Sequence, residues 1–228
     1  MPRSACICFL LLLALCSKGQ GDTLAQKFSK TVCDCFGETR KQKGLSEDAF
    51  GECIAQVITQ NNDQVMRECL RVYGDTSEES AYKLGKALFD KIKIGLVDDC
   101  YDFFILMDSL RYSAFTGLNE DSLKKELKWF DSKIKAPDSS TFYTDRGILK
   151  LQLKDINGAC HDLEKAVRLQ EDNVAARLFR GWAMEMKKEY EKAISDFQYV
   201  AEVTDDPDYE MMVAIVKRKK RIAQGNTK

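Results

Sequence analysis

Three cysteines, Cys33, Cys35 and Cys53, lie within "CDCFGETRKQKGLSEDAFGEC", residues 33 to 53. Thiols this close could hold a metal ion, cycle between thiol and disulfide, or brace the fold. A zinc site needs four Cys or His ligands at short spacings. The chain has one histidine, His161, far from this stretch. A redox pair usually reads Cys-x-x-Cys at a helix start, where the thiolate is stabilised. Here the spacing is Cys-x-Cys, and Asp34 between the sulfurs disfavours a thiolate. Disulfide bracing is the favoured chemistry, and a thiol-dependent redox or metal protein using Cys33, Cys35 and Cys53 is the alternative. No catalytic residue, metal site or cofactor is expected.

The helices that carry these sulfurs suggest the pairing. Phe28, Val32, Cys35 and Phe36 recur at helical spacing after Leu24, so 22–42 reads as an amphipathic helix ended by Gly44. Ser46 then caps a second helix, whose first turn carries Glu47 and Asp48 and whose stripe is Phe50, Cys53, Ile54, Val57 and Ile58. Cys35 lies nine residues before Gly44 and Cys53 nine after it, which puts both at one height on facing helices. Two residues along a helix turn a side chain by about 200°, so Cys33 must seek another element. Cys69 and Cys100 are the candidates, and Cys100, among Leu96, Phe103, Phe104 and Met107, is preferred. Further helices are expected over 76–95, capped by Thr76 or Ser77, and over 119–135, starting at Asn119 with Leu123, Leu127, Trp129, Phe130 and Ile134.

The first 21 residues, MPRSACICFLLLLALCSKGQG, join a basic start at Arg3 to a short apolar run, Ile7 to Leu15, and then small residues. That pattern is expected of a secretory signal. The run is too short to span a bilayer comfortably. Leu13-Ala14-Leu15-Cys16 also resembles a bacterial lipoprotein box, so membrane attachment is expected only if Cys16 is acylated. Six cysteines follow the leader, an even number that suits an oxidising compartment. Lys and Arg number 35 against 36 Asp and Glu. Loss of Arg3 and Lys18 with the leader would move the net charge from −1 to −3. Such a chain is no nucleic-acid binder by bulk charge. Prolines stand only at 2, 137 and 207, and the composition favours helix throughout.

The C-terminal half repeats itself. "YTDRGILKLQLKDINGACHDLEKAVRL" aligns with "RLFRGWAMEMKKEYEKAISDFQYVAEV" at an offset of 34 residues. Arg146-Gly147 matches Arg180-Gly181, Ala159 matches Ala193, Asp162 matches Asp196, Leu163 matches Phe197, and Ala166 matches Val200. A fixed period of this length marks stacked helical pairs. Gly147 and Gly181 allow close approach, Leu163 and Phe197 fill the space between helices, and Ile156 and Tyr190 mark the turns. The pattern resembles the tetratricopeptide repeat, in two copies at about 140–173 and 174–207. Arg146 and Arg180 stand where leucine is common in that family, and Glu171 replaces a usual proline. The helix 208–223, with Met212, Ile215, Val216 and Ile222, is expected to cap the stack. The resemblance implies a concave face that takes a protein or peptide partner, lined here by Thr144, Ile148, Gln152, Leu178, Trp182 and Met186, with Trp182 as the aromatic anchor. The alternative is that Trp182 packs against the N-terminal half, since two repeats leave little free groove. The N-terminal half, about 22–135, resembles Cys-containing helical domains of exported proteins from the Bacteroidota, a likeness that implies no particular activity.

Other features point away from chemistry. His161 and Asp162 are adjacent helix positions and do not face each other. Cys160 suits a small apolar packing role. The run Lys217 to Arg221 reads as a solvated face near a helix C-terminus, where positive charge is favourable. No phosphate-binding glycine loop or nucleophile elbow occurs. The expected molecule is all-α: a leader (1–21), a disulfide-braced helical domain (22–136) and a short repeat-type α-solenoid with its cap (137–228). Its expected role is non-catalytic protein–protein interaction in the periplasm or at the cell surface.

Overall fold

The computed structural model describes residues 25–115, 117–133 and 139–226. The expected leader with Cys16, and Ile134, lie outside these residues. Among the described residues the fold is all-α, with no strand. Helix α1 covers 25–43. It is followed by α2 (Glu47–Gln60), α3 (Asn62–Tyr73), α4 (Glu78–Asp99), α5 (Tyr101–Arg111), a 3-10 turn (Ser113–Phe115) and α6 (Glu120–Asp131). Then come α7 (Ser140–Gln152), α8 (Ile156–Leu169), α9 (Val174–Met186), α10 (Tyr190–Thr204) and α11 (Pro207–Ala223).

The chain divides into two compact units, the first ending at Leu106 and the second starting at Met107. The sequence placed a boundary later, at 136/137. The structure assigns 107–133 to the second unit, because Phe130 of α6 lies 5.1 Å from the Phe142 ring and Tyr112 and Phe115 pack on Trp182.

In the first unit Phe28, Val32 and Phe36 of α1 are buried, as are Phe50, Cys53 and Val57 of α2. Phe50 stands at the centre of an aromatic cluster, 5.3 Å from Phe36 and 4.9 Å from Phe103. The α1–α2 turn uses Gly44 at φ 82°, the left-handed region where glycine carries no steric penalty. Ser46 accepts a hydrogen bond from the Ala49 amide, and Ser77 likewise caps α4 at Ser80. The sulfurs of Cys35 and Cys53 are 2.07 Å apart, and those of Cys33 and Cys100 are 2.17 Å apart. Both pairings are the expected ones, Cys35–Cys53 from helix geometry and Cys33–Cys100 from the bulky residues around Cys100. Cys69 and Cys160 are free and buried. One expectation changes: the stripe through Cys100 belongs to two helices. Asp98 and Asp99 sit at the negative end of α4, which disfavours its continuation, and Cys100 adopts an extended conformation there.

In the second unit, contacts recur at the 34-residue period. Leu153 and Lys187 end α7 and α9, and Lys154 and Lys188 then take φ 63° and 62°. The Asp155 amide donates to the Lys150 carbonyl and the Glu189 amide to the Met184 carbonyl, both at 2.9 Å. A Cβ placed on Gly147 would lie 2.7 Å from Leu163 Cγ, and one on Gly181 would lie 2.8 Å from the Phe197 ring. Helix α11 starts at Pro207 and buries Met212, Val213, Ala214, Ile215 and Val216. Proline at a first helical position forgoes no bond, since that amide would have none.

Candidate functional site

The face of α9 that carries Leu178, Trp182 and Glu185 is built from positions one and two turns apart. Trp182 retains 7% exposure and belongs to a core with Met184, Phe197, Met212, Val213 and Val216, with Leu178, Met186, Tyr112 and Phe115 against it. The rings of Tyr112 and Phe115 meet the indole edge-on, at 5.2 Å and 5.3 Å. The Arg111 guanidinium lies 4.9 Å from the indole centroid. The sequence offered Trp182 either as an anchor on a concave face or as a residue packed against the N-terminal half. In the structure the end of α5 and the 3-10 turn cover the indole.

The remaining expected lining residues are placed as follows. Thr144 is 3% exposed. Its hydroxyl donates to the Ser140 carbonyl at 2.8 Å and accepts from the Asn173 amide at 3.3 Å, so it too is a packed residue. Ile148 and Gln152 of α7 are half-buried, as are Leu178 and Met186 of α9. Leu178, Trp182 and Met186 are brought together in one core, and Thr144 is not part of it.

Beside Trp182 lies a buried charge network that sequence reasoning missed. The Glu185 side chain is fully buried. Its Oε1 accepts from Arg111 Nη2, from the Tyr112 hydroxyl at 2.9 Å and from Lys219 Nζ at 2.7 Å. Asp108 Oδ1 accepts from Arg111 Nη2 at 2.7 Å and from Lys219 at 3.2 Å. Two anions and two cations therefore balance. Burial together with the Glu185 carboxylate pushes the Tyr112 hydroxyl up to about 12. Burial opposes the charged forms of Arg111 and Lys219, but the Glu185 carboxylate prevails and raises both. All three donors converge on Oε1. Among the described residues, Glu185 Oε2 and Arg111 Nη1 are buried without a hydrogen-bond partner.

No protein-family model matches the chain.

A second pair of ionic clusters follows the repeat. Arg146 donates from Nε and Nη2 to both oxygens of Asp162, at 2.7 Å and 2.6 Å, and Arg180 does the same to Asp196 at 2.8 Å and 2.7 Å. In each fork the arginine neutralises a buried aspartate of its own helical pair. Burial raises the Asp162 pKa, but hydrogen bonds from Arg146 and Lys150 outweigh it and hold the carboxyl below its ordinary range. Asp162 points inward, whereas its neighbour His161 is exposed. The equal 34-residue offsets of arginine and aspartate were the signal for this pairing.

The basic run of α11 is largely engaged within the fold. Lys219 serves the Glu185 network, Lys220 pairs with Glu191, and only Lys217 is exposed. In the first unit, a cavity of about 600 Å3 is lined by Lys30, Cys33, Asp34, Lys91 and Asp99 among others. Among the described residues, no three His, Cys, Asp or Glu side chains cluster closely enough to hold a metal ion. Burial raises the Cys160 thiol, which disfavours a reactive thiolate there. No helix among the described residues is long and apolar enough to cross a membrane.

Proposed function

We propose that the chain is an exported, non-catalytic interaction protein. Its second unit acts as a two-copy tetratricopeptide-type array, capped by α11, that engages a protein or peptide partner in the periplasm or at the cell surface. The observation that carries this reading is the recurrence at 34 residues of one contact set: Gly147 on Leu163 and Gly181 on Phe197, with the Arg146–Asp162 and Arg180–Asp196 forks. Repeat arrays of this kind present an extended concave surface for recognition. The Cys33–Cys100 and Cys35–Cys53 pairs are compatible with an oxidising compartment.

The experiment is in-cell cross-linking and co-purification of the full chain, with Gln152→Arg as the recognition variant, since Gln152 is half-buried on α7 and tolerates change better than Trp182. The expected result is one partner recovered with the wild type and depleted at least tenfold with the variant. Thiol counting on non-reduced, denatured protein from which the leader has been cleaved is expected to find the Cys69 and Cys160 thiols alone. Recovery of no partner would overturn the interaction reading, and four further free thiols would overturn export through an oxidising compartment.

A further inference from the structure

The inward faces of α9 and α11, bearing Leu178, Trp182 and Glu185 on one and Met212, Val216 and Lys219 on the other, carry aromatic and charged groups suited to recognition. Residues 108–115 of the same chain lie on them. This strap makes two kinds of contact. Arg111 sits over the Trp182 indole and reaches the Glu185 carboxylate, while Tyr112 and Phe115 present their edges to the same indole. The fit is incomplete, since Arg111 Nη1 and Glu185 Oε2 are dehydrated without a hydrogen bond. A segment that carried no such orphaned donor and also satisfied Glu185 Oε2 would bind the same surface better.

The strap also sets the charge that a replacement must carry. If residues 108–115 leave, Asp108 and Arg111 leave together, and Glu185 stays paired with Lys219 at 2.7 Å. The surface left behind is balanced, so an incoming segment with a lone charge would bury it uncompensated. A replacement must therefore be net neutral where it is buried, which the strap achieves by pairing a carboxylate with a cation. We infer that residues 108–115 are an internal ligand that closes this surface against a protein segment of like chemistry: a carboxylate, an arginine three residues on, and aromatic side chains one and four residues after the arginine. The partner binds by displacing the strap. This rests on the proposed interaction role and names both its partner class and its restraint.

The test uses the full chain and a fluorescein-labelled peptide of residues 107–116, MDSLRYSAFT, read by fluorescence anisotropy. Three proteins are compared: wild type, a loosened variant Tyr112→Ala/Phe115→Ala, and that variant with Glu185→Gln. The expected result is at least tenfold tighter binding by the loosened variant than by wild type, with the gain lost on adding Glu185→Gln. Equal affinity of wild type and a folded loosened variant would overturn the inference. Should the loosened variant fail to fold, the unaltered protein decides by hydrogen exchange with excess peptide. Faster exchange confined to 108–115 supports displacement, and unchanged or slower exchange there overturns it. Failure of the peptide experiment while cross-linking still captures a partner removes the strap and spares the interaction role. Failure of cross-linking alone removes the role and leaves the strap as a structural contact.

Discussion

Tyr112 puts the buried network to a measurable use. Its hydroxyl donates to Glu185 at 2.9 Å, and burial with that carboxylate raises its pKa to about 12, from about 10 in an unfolded chain. A folded pKa above the unfolded value means stability that is complete below about pH 10 and lost as pH rises through 12. The neighbouring Lys219 is raised too, so its contribution falls in the same direction. The expected outcome is a thermal midpoint that drops more steeply between pH 10 and 12 for wild type than for Tyr112→Phe. At pH 8 the variant should be less stable by about 1.5–3 kcal/mol, the usual worth of a hydrogen bond to a charged group. Equal alkaline slopes in melting curves of the two proteins would remove the hydroxyl from the network. At this scale the sequence was only partly readable. Asp162 and Arg146 share the repeat period with Asp196 and Arg180, so their pairing was there to be found. Glu185 offered less: a carboxylate beside Trp182 demands a cation, but nothing local names Arg111, which lies 74 residues away.

Close approach of α7 and α8, and of α9 and α10, depends on two glycines that have no room for a methyl group. Leu163 is fully buried against Gly147, so Gly147→Ala must push a side chain that has nowhere to go. The expected cost is about 1–3 kcal/mol, read as a lowered denaturant midpoint, and Gly181→Ala should behave alike against Phe197. Gly85 in α4 is the control, because a Cβ there meets nothing within 4 Å. Gly85→Ala should stabilise by about 0.5–1 kcal/mol through reduced freedom of the unfolded chain. Elements such as these were legible because small and large residues alternate at a fixed period, and because Ser46, Ser77 and Asn119 are caps by residue type. The break at Cys100 was not legible from apolar periodicity, which continues unchanged through Phe103 and Phe104. It follows from the Asp98 and Asp99 charges at the negative end of α4, which apolar periodicity does not encode. The cover on Trp182 was left undecided for a similar reason: an aromatic on a helix face looks the same whether water or another segment meets it.

Across the whole molecule, the bridges and the tryptophans are segregated. Both sulfur pairs join residues of the unit ending at Leu106, across 67 and 18 residues of sequence. Both tryptophans, Trp129 and Trp182, belong to the unit that starts at Met107. Reduction therefore acts on one unit, while tryptophan emission reports on the other. A closed loop of the longer span restricts the unfolded chain by about 4 kcal/mol and the shorter by about 3 kcal/mol, on the chain-entropy account. Adding reductant should lower the melting midpoint followed by far-ultraviolet circular dichroism, which sees every helix, and leave the tryptophan-emission midpoint within a few degrees. Cys33→Ser/Cys100→Ser should reproduce more of the loss than Cys35→Ser/Cys53→Ser, because the longer loop is freed. Coincident falls in both signals would mean that the molecule melts as one cooperative block. The division at Leu106 would then describe contacts but not energetics. Separate falls would mean that the repeat-bearing unit keeps its core, with Trp182 inside it, without help from the sulfur bridges.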